Sequence, residues 1–177
     1  MKISRCFLIF LSFMCIQLFA FAQPKLETRI FLVRHAEKST QDPNDPDPAL
    51  TKQGEKRAKK LTKKWKNIKI DAVYSSNFKR TKMTALPTAH RFDKQVNTYN
   101  HKNLKELVSL IQTNHKGQNI LVVGHSNSVL ETLKILGVQP SIDQIKEHQY
   151  HFFFEVQIYE DGSIQLIEKK YGKVSKD

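Results

Sequence analysis

The hexapeptide Asn119-Ile120-Leu121-Val122-Val123-Gly124 constrains this chain more than any other stretch. It is short, continuously apolar and closed by a glycine, so it reads as a strand buried on both faces. Such a strand needs cover above and below, and its neighbours provide it. Residues 29–33 (RIFLV) form a second buried run, residues 71–76 (DAVYSS) a third strand ending in a polar turn, and residues 95–99 a weaker one. Helical patterns lie between them. Residues 51–65 place Ala58, Leu61 and Trp65 on one face among lysines, and a helix over 78–88 is expected to close near Pro87. Residues 104–114 align Leu104, Leu107, Val108 and Ile111, and a helix over 128–136 stops at Gly137. Strands at 150–158 and 163–171 flank Asp161-Gly162, a hairpin signal. The alternation predicts an α/β fold: a three-layer sandwich with a largely parallel central sheet and a C-terminal antiparallel hairpin. No repeat or linker divides it, so residues 23–177 are expected to form a single domain.

The first 22 residues are read apart from that domain. Lys2 and Arg5 precede an apolar run from Phe7 to Phe21, and Ala20-Phe21-Ala22 carries small residues where a signal peptidase cuts. Cleavage after Ala22 predicts a periplasmic or secreted protein with no stable membrane association. The uncharged run falls short of the ~20 residues of a membrane span. Both cysteines, Cys6 and Cys15, lie in this segment. The remaining chain has no thiol, which excludes disulfides, cysteine metal sites and a cysteine nucleophile. The net charge of +12 suits an anionic partner, and export turns that expectation from nucleic acid towards a small anionic phosphorylated substrate. The lysines of 52–66 read as a solvated helix face.

In an α/β sheet, ligands gather beyond the carboxyl ends of the strands. The first strand ends there in Arg34-His35-Ala36-Glu37-Lys38. The second ends in Ser75-Ser76 with Arg80 just beyond, and the strand at 119–124 runs into His125-Ser126-Asn127. Two arginines and two histidines therefore converge on one edge beside helix N-termini, which is an anion site. Guanidinium forks match phosphate oxygens, and helix N-termini add free N–H groups.

These segments resemble the histidine phosphatase superfamily, also called phosphoglycerate mutase-like (branch 1). Leu32-Val33-Arg34-His35-Ala36-Glu37-Lys38 is similar to its Arg-His-Gly signature, with Ala36 for the common glycine. Leu50-Thr51-x-x-Gly54-x-x-Arg57-Ala58 resembles its first helix, and Tyr74-Ser75-Ser76-x-x-x-Arg80-Thr81-x-x-Thr84-Ala85 its second-arginine segment. Val122-Val123-Gly124-His125-Ser126-Asn127 resembles its second-histidine segment. The resemblance implies a metal-independent phosphatase without a cofactor. In it His35 is the nucleophile that becomes phosphohistidine, while Arg34, Arg80 and His125 hold the phosphoryl oxygens. Ser76, Ser126 and Asn127 are further candidates for binding substrate, and Ser126 and Asn127 are also read as caps of the following helix.

The proton donor departs from the family pattern. Many members carry an acidic residue shortly after the third strand, where this chain reads Tyr99-Asn100-His101-Lys102-Asn103. Protonation of the leaving group then falls to Glu37, to Glu106, or is unnecessary because the leaving group is good. His90, His101, His115, His148 and His151 have no motif and read as surface or structural, with His148 and His151 placed to reach a pocket rim. Two other functions fit parts of the pattern. A phosphate-binding domain without turnover would explain the missing donor. A serine hydrolase would use Ser126 in Gly124-His125-Ser126-Asn127-Ser128, with Asp143 and His148, but it leaves Arg34-His35 and Arg80 without a role. The acidic loop of 42–48 lacks the glycine and terminal glutamate of a calcium-binding loop.

Overall fold

A computed structural model describes residues 24–174. The export signal read over residues 1–22 lies outside the described residues. The chain runs β1 (Leu26–Arg34), α1 (Lys52–Thr62), β2 (Ala72–Ser76), α2 (Lys79–Arg91), β3 (Val96–Tyr99), α3 (Leu104–Asn114), β4 (Asn119–Gly124), α4 (Ser126–Ile135), β5 (Phe152–Tyr159) and β6 (Ile164–Lys170). One sheet has the order β3-β2-β4-β1-β5-β6. The first four of these strands are parallel, and β5 and β6 run antiparallel on the far edge.

The sheet is covered on both faces because successive side chains of a strand point opposite ways. Ile30, Leu32, Ile120, Val122 and Phe154 pack with Leu107, Ile111 and Leu133 of α3 and α4. Phe31, Val33, Leu121, Val123 and Phe153 pack on the other side with Leu61, Trp65, Ala85 and Ala89. Burying each large apolar side chain contributes about 1.5–3 kcal/mol. β1 and β4 pair in register with Arg34 opposite Gly124, so His35 and His125 leave adjacent strands at the same level. The backbone N–H of His35 donates to the Gly124 carbonyl at 2.9 Å.

Three helix boundaries differ from expectation. α1 ends at Thr62 rather than 65, so Trp65 packs on the core from the segment after the helix. α2 does not close near Pro87 but runs through it to Arg91. Proline in a helix interior costs about 3 kcal/mol. Packing offsets this, because Thr88 and Ala89 beyond it are fully buried and the Trp65 indole N–H donates to Thr88 Oγ1 at 3.1 Å. α4 starts at Ser126 rather than 128. Its N-cap is His125, whose backbone N–H donates to Ser128 Oγ at 2.9 Å. Ser126 and Asn127 therefore occupy the first turn and are not the caps that their residue types suggest. Gly124 permits this tight exit from β4, since a Cβ there would stand 2.7 Å from Ser128 Oγ and 2.8 Å from the Tyr99 hydroxyl.

Candidate active site

His35 leaves β1 beside the core and is 3% exposed. Its Nδ1 lies 2.7 Å from the carbonyl of Ala36. A carbonyl only accepts, so Nδ1 carries the proton and Nε2 keeps a lone pair. Burial lowers the His35 pKa to about 3; the Ala36 carbonyl opposes the shift, while Arg34, Arg80 and His125 add to it. The ring is therefore neutral at pH 7, as a nucleophile must be. Ala36 itself is fully buried, and its N–H donates to Thr84 Oγ1 of α2 at 3.0 Å, which fixes the turn after β1.

Arg34 is 3% exposed and is held by the segment before β5. One terminal nitrogen donates to the carbonyls of Lys146, Glu147 and Gln149 at 2.8, 3.0 and 3.3 Å. The other donates to Glu147 Oε2 at 2.7 Å, and the guanidinium lies 4.6 Å over the Tyr150 ring. Tyr150 in turn packs 6.1 Å from the His35 ring. On the opposite side, Arg80 projects from the first turn of α2 and lies 4.4 Å over Phe78. Its Nη1 reaches Asp47 Oδ1 at 3.5 Å. The Nε atoms of Arg34 and Arg80 are both buried with no hydrogen-bond partner. Buried donors of this kind are costly unless something accepts from them, and an anion between the two arginines would do so.

His125 meets His35 edge-on, with ring centroids 5.6 Å apart. Its Nε2 is 2.9 Å from Ser76 Oγ, whose own proton goes to Thr81 Oγ1 at 3.0 Å. Ser76 is fully buried, so its hydroxyl orients His125 instead of facing a substrate. Burial lowers the His125 pKa to about 4, with Arg80, His101 and Arg34 contributing in that order and Asp47 opposing. Ser126 and Asn127 sit at the positive end of α4, where backbone N–H groups lack helical partners. Their place suits contact with an anion through the main chain.

Glu37 is engaged elsewhere. Its oxygens accept from Arg57 Nε at 2.9 and 3.0 Å, and Gln53 Nε2 donates to Oε1 at 2.9 Å. Burial pushes its carboxyl up, but the Arg57 hydrogen bond and charge outweigh it and hold the pKa below the ordinary range. A carboxylate so held is a poor proton donor, which removes the basis for a catalytic role. Glu106 is exposed on the first turn of α3, with Oε2 accepting from Asn103 Nδ2 at 2.9 Å.

Sequence reasoning missed four residues that the fold brings here. Asp47 comes from the proline-rich loop and accepts the Lys79 N–H at 2.9 and 3.1 Å, capping an α2 whose own N-cap, Phe78, has no side-chain acceptor. Glu147 and Tyr150 frame Arg34. His101, read from the sequence as having no part in the site, packs against Phe78 and His125 at 5.2 and 5.7 Å. Of the two histidines placed at the rim, His148 lines a cleft of about 620 Å³ with Glu37, Arg57, Glu147 and Tyr150. His151 is buried instead. Among the described residues no group of histidines, cysteines and carboxylates is arranged to hold a metal ion.

The family model of the histidine phosphatase superfamily (branch 1) matches residues 30–108. No curated protein matches the chain in sequence. Solved structures share its fold. Bacillus stearothermophilus YhfR superposes with a TM-score of 0.66 at 16% identity, covering 84% of this chain and 98% of its own. The protein histidine phosphatase SixA, solved with tungstate, gives 0.63 at 16% identity and covers 80% and 96%. A mycobacterial glucosyl-3-phosphoglycerate phosphatase gives 0.62 at 10% identity and covers 82% and 98%. The ordered motifs from Arg34-His35 onwards thus lie in a sheet of the phosphoglycerate mutase-like kind, and the stretch from β1 into α3 matches the histidine phosphatase superfamily, branch 1.

Proposed function

We propose that this protein is a metal-independent phosphatase that hydrolyses a phosphomonoester or related phosphorylated compound through phosphohistidine on His35. The observation that carries this reading is the Nδ1–Ala36 hydrogen bond, which fixes the tautomer with Nε2 free to attack phosphorus. In-line attack by Nε2 forms the N–P bond as the P–O bond to the leaving group breaks. Arg34 and Arg80, whose Nε atoms have no other partner, hold the equatorial oxygens and stabilise the charge of the transition state, while His125, engaged with Ser76, packs beside them. Water then attacks the phosphohistidine and restores His35. Two guanidinium groups do the electrostatic work here that a metal ion does elsewhere.

Purified protein in excess chelator is expected to hydrolyse an activated aryl phosphate. Arg80→Ala should lower kcat/KM by about 100- to 1,000-fold, the usual loss for one oxyanion donor. Full activity in the variant would remove Arg80 from the phosphate site. Tight phosphate binding without turnover in the parent protein would favour the binding-domain reading. The serine hydrolase reading, with Ser126, Asp143 and His148, has less support, because it leaves Arg34, His35 and Arg80 without a role.

Export through the leading segment is part of the same proposal. N-terminal sequencing of the secreted or periplasmic protein is expected to begin at Gln23; an intact Met1 in that fraction would contradict cleavage.

A further inference from the structure

Expulsion of an alkoxide needs a proton at the leaving oxygen. Glu37 is tied to Arg57, and Glu106 stands exposed on the first turn of α3 with no contact to His35 or His125 among the described residues. Asp47 and Glu147 are paired with Arg80 and Arg34, and the imidazole of His101 is a further ionisable group that the fold brings against His125. β3 ends at Tyr99, which pairs with Ser76 at the end of β2, so the residues just after it emerge on the active edge of the sheet. A tight turn then holds His101. The Asn103 N–H donates to the Asn100 carbonyl and the Lys102 N–H to Asn100 Oδ1, both at 3.0 Å. Phe78 packs edge-on against both His101 and His125, at 5.2 and 5.0 Å.

The three imidazoles form a chain. His35 meets His125 at 5.6 Å, and His125 meets His101 at 5.7 Å. In-line displacement places nucleophile and leaving group on opposite sides of phosphorus. A phosphoryl group against His125 would then have His35 on one side and His101 towards the other. Beside His101 the surface opens into a depression of about 480 Å³ bounded by Asn77, Phe78, Thr98 and Asn100. That depression gives a leaving group room next to the imidazole.

We propose that His101 donates the proton to the leaving oxygen, and that the substrates are accordingly phosphate esters of alkyl alcohols. The inference rests on His35 as nucleophile. The His35 Nε2–P bond forms, the P–O bond breaks, and the leaving oxygen takes its electron pair together with a proton from the His101 imidazolium. Neutral His101 then accepts a proton from the water that attacks phosphohistidine. Inorganic phosphate leaves, and both imidazoles return to their starting states.

The test compares the full-length protein with His101→Ala, His101→Glu and His35→Ala on two substrates, a nitrophenyl phosphate and glycerol phosphate. His101→Ala is expected to lower kcat on glycerol phosphate by about 100-fold or more. Its loss on nitrophenyl phosphate, whose leaving group needs little protonation, should be smaller by at least about tenfold. His101→Glu should recover most of the glycerol phosphate activity, which a purely packing role for the ring would not allow. Equal losses on the two substrates, or no loss on either, would overturn the proposal. If the parent protein acted on neither substrate faster than His35→Ala, the phosphatase reading itself would fail, and the role of His101 with it.

Discussion

Turnover of an activated aryl phosphate by His35→Ala is expected to fall by about 10,000-fold or more, the scale on which loss of a covalent nucleophile is felt. His125 spends Nε2 on Ser76, and Arg34 and Arg80 are cations that bind phosphate without attacking it. The variant should still bind inorganic phosphate, so titration separates lost chemistry from lost binding. Turnover within tenfold of the parent would mean that His35 is not the nucleophile. The parent's pH profile carries the same claim. With His35 held near pKa 3 and His125 near 4, both rings stay neutral far below the usual histidine range. The kcat/KM profile, which reports the free enzyme, should therefore keep its plateau from pH 7 to pH 5 once substrate ionisation is corrected for. An ordinary histidine would already be mostly protonated at pH 5. The shifts also act on stability. The unfolded chain takes up these protons as pH falls through about 6.5, and the folded chain does so only near 4 and 3. Their contribution is complete above pH 6.5 and is lost progressively on acidification.

The second large effect is on folding. Arg57→Ala should destabilise the protein by about 3–5 kcal/mol, as breaking one half of a buried ion pair does. Arg57 is 5% exposed and Glu37 12%, so the carboxylate left behind would have little water. The same guanidinium donates to the carbonyls of Tyr171 and Lys173 at 3.0 and 2.8 Å, which would also lose their partner. Arg57 thus ties the loop after β1 to the segment after β6. Gly54, one turn earlier on α1, lets the helix approach that loop, since a Cβ there would collide with the Glu37 carbonyl oxygen. Denaturant titration should show the midpoint falling, and removing Glu37 as well should recover part of the loss. An unchanged midpoint would mean that the pair contributes nothing. Because the Glu37 carboxyl is held below its ordinary pKa, its share of stability is present above about pH 4.5 and is lost as pH falls through the folded value.

Much of this protein was legible locally. The runs at 29–33 and 119–124 are apolar without alternation, and only strands covered on both faces tolerate that. α3 follows its 3.6-residue stripe from Leu104 to Asn114 as read, and β4 matches residue for residue. Arg34, His35, Arg80 and His125 could be placed on one edge because strand ends in a parallel sheet point the same way. The assignments that failed depended on partners distant in the chain. Residue types alone could not show that Thr88 and Ala89 hold α2 together past Pro87, or that Ser76 serves His125, 49 residues away. Glu37 looked catalytic beside the nucleophile, yet Arg57, 20 residues on, claims it. Arg34 is clamped by backbone carbonyls at 146, 147 and 149, more than 110 residues away. His101 lies where many family members carry an acidic residue, but no motif marks the histidine itself. It joins the site because β3 pairs with β2 and ends level with Ser76. Periodicity and motifs determined the elements and the anion-binding edge, since both are written in neighbouring residues. The tertiary structure alone decided which polar groups are used up and which remain for chemistry, because each buried donor or charge takes whatever partner the packed fold brings within reach.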